Sequence, residues 1–145
     1  MATFRVIHGP NLNLLGQRAP EHYGTLTLAE INAKIASFAK SKNVTVDIIQ
    51  SNHEGEIIDA IQQSGGLTGI VLNPGGFTHS SVAIRDAVEA VAVPVIEVHL
   101  SNIQARESFR QTSLIAPVCR GQISGLGYLG YILAIEYFIR NINAL

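Results

Sequence analysis

An uninterrupted apolar run, residues 69–72, leads directly into the turn sequence Asn73-Pro74-Gly75-Gly76. A short apolar run between turn signals is typical of a β-strand that helices cover on both faces, as in a parallel sheet. The proline and the glycines end this strand, and a polar cluster that includes His79 follows them. In open α/β sheets, ligands bind at the carboxyl ends of the strands. The stretch therefore predicts a central strand with a ligand site at its end.

Strand patterns and helix patterns alternate along the chain. Strands are predicted at 4–8, 44–50, 69–72, within 93–102 and at 118–124. Helices are predicted at about 27–40, around 57–64, at about 81–90 and at 126–142, with a short polar helix carrying Arg106 and Arg110 after the fourth strand. The first helix begins with the capping box Thr27-Leu28-Ala29-Glu30. This order predicts an α/β fold, a doubly wound five-stranded parallel sheet with the flavodoxin-like strand order 2-1-3-4-5 and helices on both faces.

The length and composition set the limits of the prediction. A chain of 145 residues predicts a single domain, 1–145. Charged residues make up only 14% of it, against roughly 25% in an average globular domain, so we expect an oligomer to cover part of the surface. The formal net charge of −1 gives no electrostatic reason to expect nucleic acid or an anionic membrane as a partner. No leader or membrane-spanning pattern is evident, so we expect a cytoplasmic protein.

Polar side chains collect where the predicted strands end. They are Asn11, Arg18, Tyr23, His53, Asn73, His79, Glu97, His99, Ser101, Arg106 and Arg110. None of them indicates a function alone, because a lone histidine is more often structural and Asn-Pro-Gly is first of all a turn. Their convergence on one rim of the sheet favours catalysis. The long connection after the first strand, with two glycines and two prolines, predicts an active-site lid at about 16–25.

Several kinds of site are disfavoured. A phosphate-binding loop and a nucleophile elbow are missing, and no lysine follows a predicted strand. The run Gly125-Leu126-Gly127-Tyr128-Leu129-Gly130 matches a dinucleotide fingerprint, but that motif needs a further strand and an acidic residue about 20 positions on. We therefore interpret these glycines as close helix packing. The histidines lack metal-ligand spacing, and the single Cys119 is expected to be a small buried residue. Acid/base chemistry without a metal or other cofactor remains.

Two residue types suit such chemistry. Strand alternation puts Glu97 and His99 on one face, where the carboxylate would orient the imidazole and favour its protonated form, as a general acid needs. Tyr23 would be a base beside Arg18 and Arg110, because arginines stabilise a phenolate, whereas a free tyrosine of pKa about 10 is only about 0.1% ionised at pH 7. From spacing alone, Tyr23 is equally well interpreted as a surface aromatic.

Four motifs carry a family resemblance, in order along nearly the whole chain. They are Gly-Pro-Asn-Leu-Asn-Leu-Leu-Gly at 9–16, Gln-Ser-Asn-His-Glu-Gly at 50–55, Asn-Pro-Gly-Gly-Phe-Thr-His at 73–79 and Glu-Val-His-Leu-Ser-Asn at 97–102. Together they resemble the type II 3-dehydroquinate dehydratases. This resemblance implies conversion of 3-dehydroquinate to 3-dehydroshikimate by trans elimination of water through an enolate, with no metal or organic cofactor. The reaction serves aromatic biosynthesis through the shikimate pathway or quinate breakdown.

The resemblance also implies a role for each matched residue. Tyr23 would remove the C2 proton, Arg18 would keep that tyrosine ionised, and His99, oriented by Glu97, would protonate the departing C1 hydroxyl. Asn11 would stabilise the enolate through a water. The substrate's hydroxyls and carboxylate would be held by Asn73, His79, Arg110 and the Leu100-Ser101 backbone.

The implied assembly is a homododecamer, a tetramer of trimers, in which Asp86 reaches a neighbouring subunit's site. A different class of function remains as an alternative. It is a non-catalytic flavodoxin-like module that binds a nucleotide or a flavin at the same polar rim.

Overall fold

A single five-stranded parallel sheet forms the centre of the molecule. The computed structural model describes residues 1–17 and 19–142. The strands are β1 (Thr3–His8), β2 (Thr45–Gln50), β3 (Gly69–Asn73), β4 (Val95–His99) and β5 (Gly121–Ser124). Their order is β2-β1-β3-β4-β5, and every neighbouring pair is parallel. The predicted flavodoxin-like topology and the central position of β3 are therefore confirmed.

Helices connect and cover the strands. They are α1 (Pro20–Tyr23), α2 (Leu28–Ser41), α3 (Glu54–Gln62), α4 (Val82–Ala90) and α5 (Leu129–Arg140). The predicted capping box of α2 is present, because Thr27 accepts from the Glu30 backbone while the Glu30 side chain accepts from the Thr27 backbone. In residues 1–17 and 19–142, every helix is too short or too polar to cross a membrane.

The sheet separates two hydrophobic clusters. Phe4, Val6 and Val71 point to the face where buried residues of α2 and α5 pack. Ile7, Ile70 and Leu72 point to the opposite face, against α3 and α4. Because strand side chains alternate, each central strand supplies both clusters. The expectation of helices on both faces is confirmed.

The segments after β4 differ from the prediction. Two separate 3₁₀ turns, Ile103–Ala105 and Ser108–Arg110, replace the predicted polar helix. The extended backbone of Glu107, with ψ at 149°, divides them. The fifth strand begins at Gly121 rather than at 118, because another 3₁₀ turn, Ala116–Val118, precedes it.

The closing helix is also shorter than predicted. It begins at Leu129, since Gly125 and Gly127 have positive φ angles of 87° and 59° that are incompatible with a right-handed helix. A β-carbon on Gly130 would lie 3.1 Å from the Val98 side chain, so close helix packing is confirmed there. Gly127 has no atom within 4 Å of such a β-carbon, so close packing is wrong for this glycine, which serves the turn instead.

The loops after β1 and β3 lie against each other at the carboxyl edge of the sheet. His8 is in register with Asn73, and the Gly9 N–H donates to the Asn73 carbonyl at 2.7 Å. A β-carbon on Gly9 would lie only 2.6 Å from the carbonyl carbon of Pro74. The absence of a side chain at Gly9 therefore lets the loop that carries Asn11 meet the end of β3 at Asn73 and the loop that follows it.

Candidate active site

A cleft opens at the carboxyl edge of the sheet, between the loops that follow β1, β3 and β4. Most of the predicted site residues line it, namely Asn11, Tyr23, Asn73, His79, His99, Leu100, Ser101 and Arg110. Gly75, Gly76 and Arg106 are also part of its wall. The sheet topology thus brings distant parts of the chain together: Asn11 and Arg110 are 99 positions apart, and both line the cleft.

Glu97 and His99 form a buried pair on β4. Both side chains point to the same side of the strand, as alternation predicts, and the His99 Nε2–H donates to Glu97 Oε2 at 2.8 Å. Ser113 donates to the other carboxylate oxygen at 2.8 Å, and Gln122 also donates to Oε2. Burial alone would raise the pKa of the Glu97 carboxyl, but the hydrogen bond and charge of His99, with the bonds from Gln122 and Ser113, outweigh burial and lower it. Glu97 is therefore a carboxylate.

This pair fixes which atom of the imidazole can react. A carboxylate only accepts hydrogen bonds, so the Nε2 of His99 must carry a hydrogen. Nδ1 makes no hydrogen bond to the described residues, and the ring lines the cleft. A proton exchanged between His99 and a ligand in the cleft must therefore pass through Nδ1.

Tyr23 also lines the cleft, at the end of α1. Its hydroxyl accepts a hydrogen bond from Nη1 of Arg106 at 2.7 Å, and the guanidinium carbon is 5.2 Å from the ring centroid. The same Nη1 is 3.5 Å from the Ser101 hydroxyl. Because the donor is charged, the bond to the phenol oxygen is of the strong, charge-assisted kind.

The sequence suggested Arg18 and Arg110 as neighbours of Tyr23, but the contact described above is made by Arg106. Arg110 instead donates to both carboxylate oxygens of Glu107, at 3.1 and 3.2 Å, and lines another part of the cleft. Arg18, the other arginine predicted near Tyr23, lies outside the described residues.

Asn11 lies in the loop after β1, and Asn73 is the last residue of β3. Asn11 has a left-handed backbone, with φ at 69°, and its N–H donates to Oδ1 of Asn52 at 2.9 Å. The buried Asn73 side chain accepts from the Gly75 N–H at 3.1 Å and donates to the hydroxyl of Tyr131 at 2.9 Å. Both asparagines are thus held by neighbours at the cleft wall, Asn11 by its backbone and Asn73 by its side chain.

His79 is oriented by the backbone. Its Nδ1 donates to the Thr112 carbonyl at 2.8 Å, because a carbonyl can only accept. Nε2 is therefore the ring nitrogen left for a ligand in the cleft.

Asp86 does not line the cleft. It is exposed on α4, outside the site formed by its own chain. Its predicted reach into a neighbouring subunit stays a prediction.

Sequence reasoning did not assign functions to Arg106, Ser113 and Gln122. Arg106 appeared among the polar residues of the rim, but spacing could not select it as the partner of Tyr23. Gln122 is in register with Glu97 on the neighbouring strand, so its contact becomes visible only when the pairing of β4 with β5 is known.

The described residues do not group into a set of metal ligands. In the described parts of the chain, no group of three or more histidine, cysteine, aspartate or glutamate side chains could hold a metal ion. The cleft instead offers one ion-paired imidazole, one arginine-paired phenol and amide or backbone groups. This set is suited to moving protons and to binding a small polyoxygenated ligand.

Known proteins are similar to this chain in sequence and in fold. The family model described as dehydroquinase class II matches residues 2–139. The chain is 57% identical to a 3-dehydroquinate dehydratase of Halothermothrix orenii over 139 residues, which cover 95% of this chain and 94% of the relative. It is 56% identical to another of Halalkalibacterium halodurans over 135 residues, or 92% and 93% of the two chains. The crystal structure of a type II dehydroquinase from Butyrivibrio crossotus superimposes with a TM-score of 0.94 at 49% identity, covering 95% of this chain and 97% of the other.

Proposed function

The chain belongs to the class II dehydroquinase family, and we propose that Tyr23 and His99 carry out the two proton transfers of its reaction. That reaction makes the protein a hydro-lyase, which converts 3-dehydroquinate to 3-dehydroshikimate. The observation that carries the assignment is the pair of contacts facing one cleft, Arg106 on the Tyr23 hydroxyl and Glu97 on His99.

The first step would be removal of the C2 proton. The Tyr23 phenolate takes this proton, and the electron pair of the C–H bond moves toward the C3 ketone, which becomes an enolate. The bond from Arg106 supports the assignment, because a charged donor 2.7 Å from this oxygen would stabilise the anion of a tyrosine base. Asn11 would stabilise the enolate oxygen through a water, in keeping with its position in the cleft wall.

The second step would expel water from C1. The enolate reforms the ketone, the new double bond forms between C1 and C2, and the C1–oxygen bond breaks. Nδ1 of protonated His99 gives its proton to the leaving hydroxyl, while Glu97 stabilises the imidazolium through Nε2. One proton arrives on Tyr23 and one leaves His99, so solvent returns both groups to their starting state.

The remaining lining residues would bind the substrate. Asn73, His79, Arg110 and the Leu100-Ser101 backbone supply donors, acceptors and a positive charge for hydroxyls and a carboxylate. In addition, Nε of Arg106 is buried without a hydrogen-bond partner among the described residues, and the Glu107 carboxylate 3.7 Å away is too distant for one. A substrate oxygen would satisfy this donor.

We extend the proposal to the lid and to the assembly. Residues 16–25 would close over the substrate and bring Arg18 to the phenolate.

Twelve chains would associate as four trimers, with Asp86 entering a neighbouring cleft. The exposed position of Asp86 and the exposed Leu126, Leu129 and Leu133 support such contacts. A biosynthetic role would place the enzyme in the cytoplasm. Light scattering combined with size exclusion tests the assembly, and a monomer with full activity would contradict it.

A direct assay tests the catalytic assignment. Chelator-treated protein is mixed with 3-dehydroquinate, and the absorbance of the conjugated enone product is followed. We expect turnover in the parent and its loss in both Tyr23→Phe and His99→Ala. Full activity in Tyr23→Phe would refute the assignment of the base. A folded parent without any turnover would refute the activity, and the nucleotide- or flavin-binding alternative, which the family match does not favour, would then be tested by ligand titration.

A further inference from the structure

A chain of buried hydrogen bonds runs from the cleft into the hydrophobic core. Asn73 Nδ2 is 2.9 Å from the Tyr131 hydroxyl, and this hydroxyl is 3.0 Å from Nδ1 of His8. Nε2 of His8 is in turn 2.8 Å from Oδ1 of Asn32 on α2. His8 and Tyr131 are fully buried, and neither lines the cleft. The proton transfers described above use neither residue.

The direction of every bond in this chain follows from one backbone amide. The Gly75 N–H can only donate, so the atom of the Asn73 side chain that faces it, 3.1 Å away, must be the oxygen. The nitrogen of the Asn73 amide therefore faces Tyr131 and donates to its hydroxyl oxygen. No other acceptor among the described residues faces the buried hydroxyl, so its hydrogen is satisfied only if it points to Nδ1 of His8 and Nδ1 accepts. His8 consequently carries its hydrogen on Nε2 and donates to Asn32.

The surroundings of His8 fit this arrangement. Burial lowers the pKa of His8 to about 4, even though the hydrogen bond to Asn32 raises it. The imidazole is therefore neutral under ordinary conditions, which leaves Nδ1 available as an acceptor. Every polar group in the chain then has one partner of the correct kind, as buried networks require.

We propose that Tyr131 and His8 are positioning residues that hold the Asn73 amide in one orientation, with its second N–H left for a substrate oxygen. This inference rests on the proposed binding role of Asn73. An asparagine amide is nearly symmetrical in shape, so only hydrogen bonds select one of its two orientations. The Gly75 N–H holds the oxygen, and the Tyr131 hydroxyl, with its only hydrogen committed to His8, accepts from the nitrogen. The two contacts together keep an N–H rather than the carbonyl oxygen toward the cleft.

The predicted signature is a change in substrate binding rather than in chemistry. Tyr131→Phe removes the acceptor of the Asn73 nitrogen and leaves the amide held by the Gly75 N–H alone. His8→Leu weakens the same contact, because the hydroxyl hydrogen of Tyr131 is no longer committed to His8. Asn73 does not exchange a proton, so it would contact the ground state and the transition state alike. We expect KM to rise about tenfold in both variants, which is the effect of losing one hydrogen bond to the substrate. We expect kcat to change by less than about threefold.

Two further variants separate positioning from general damage to the core. His8→Asn retains an acceptor for the Tyr131 hydroxyl and should bring KM back to within about twofold of the parent value. Tyr137 lies on the same helix, and its hydroxyl makes no hydrogen bond to the described residues. Tyr137→Phe should therefore leave KM unchanged. A folded Tyr131→Phe protein with an unchanged KM, or with a loss confined to kcat, would overturn the inference.

A measurement on the parent protein needs no variant to fold. Neutron diffraction locates hydrogen atoms, and we expect hydrogen on Nε2 of His8 but not on Nδ1, with the Tyr131 hydroxyl directed at His8. Hydrogen on Nδ1, or an Asn73 amide found in both orientations, would overturn the inference. Failure of the proposed function would be recognised separately, because the parent would then have no turnover at all.

Discussion

Nε2 of His99 donates to the carboxylate of Glu97 at 2.8 Å, and this bond directs the other ring nitrogen to the cleft. The two residues are only two positions apart on β4, so a single strand sets both the orientation of the imidazole and the charge behind it. Ser113 and Gln122 complete the hydrogen bonds of the carboxylate. The choice of Nδ1 as the reactive nitrogen of His99 is therefore set by groups on the other side of the ring, which need not contact a substrate.

Replacing Glu97 should affect the chemical step more than binding. Glu97→Gln keeps the size of the side chain but removes the negative charge that stabilises the imidazolium. We expect kcat to fall about a hundredfold, within the range for loss of general acid catalysis. Steady-state kinetics measure the change. In a His99→Ala background the same substitution should cost less than about threefold, because the group that Glu97 acts on is gone. Equal losses in both backgrounds would show that Glu97 acts independently of His99.

Arg106 should support the proton transfer at Tyr23. Arg106→Met removes the donor 2.7 Å from the Tyr23 hydroxyl, so a tyrosine anion would lose a charge-assisted bond. We expect kcat to fall about a hundredfold, with a smaller change in KM. Steady-state kinetics measure both. Arg106→Lys, which keeps the charge, should lie between the two proteins. A loss confined to KM would place Arg106 in substrate binding alone.

The sequence predicts those parts of the site that depend on local geometry. The Glu97–His99 pair was predicted correctly because strand alternation acts over a few residues. The strand order was predicted correctly because alternating strands and helices favour a doubly wound sheet, for which the flavodoxin-like order is common. The contact between Arg106 and Tyr23 spans 83 positions, and no local pattern distinguishes Arg106 from Arg110. The 3₁₀ turns around Glu107 were also missed, since segments of three residues are too short to show periodicity. The buried partners of Asn73 become apparent only once α5 is packed on the sheet.

Gly9 should be intolerant of even a methyl group. In Gly9→Ala the new β-carbon would lie 2.6 Å from the Pro74 carbonyl carbon, so the loops after β1 and β3 would have to separate. We expect a loss of about 1–3 kcal/mol in the free energy of unfolding, as for other overpacked sites, and a lower kcat/KM because Asn11 and Asn73 move apart. Urea unfolding and steady-state kinetics measure the two effects.

Gly55→Ala is the matched control for this substitution. Gly55 lies in α3, and a β-carbon there meets no atom within 4 Å. Alanine is preferred to glycine in helices, so this variant should be equally or slightly more stable and fully active. If Gly9→Ala behaves in the same way as Gly55→Ala, the close approach of the two loops does not constrain the site.

The stability of the protein should fall in mild acid, chiefly because of His8. Its pKa is about 4 in the folded protein and 6.5 in the unfolded chain, so between these values the unfolded state binds more protons. Stability is therefore complete above about pH 6.5 and decreases as the pH falls toward about 4, by about 3 kcal/mol in all. The lowered pKa of Glu97 adds a loss at still lower pH, as its carboxylate is protonated.

Urea unfolding at about pH 7.5 and about pH 5 measures this dependence, at one protein concentration so that any association contributes equally. His8→Asn provides the control, because asparagine does not titrate in this range and still accepts from the Tyr131 hydroxyl. The difference between the two pH values should shrink by about 2 kcal/mol in this variant, since a His8 shift of one pKa unit corresponds to 1.36 kcal/mol. An undiminished difference would assign the acid sensitivity to other groups and would mean that His8 is not held neutral in the core.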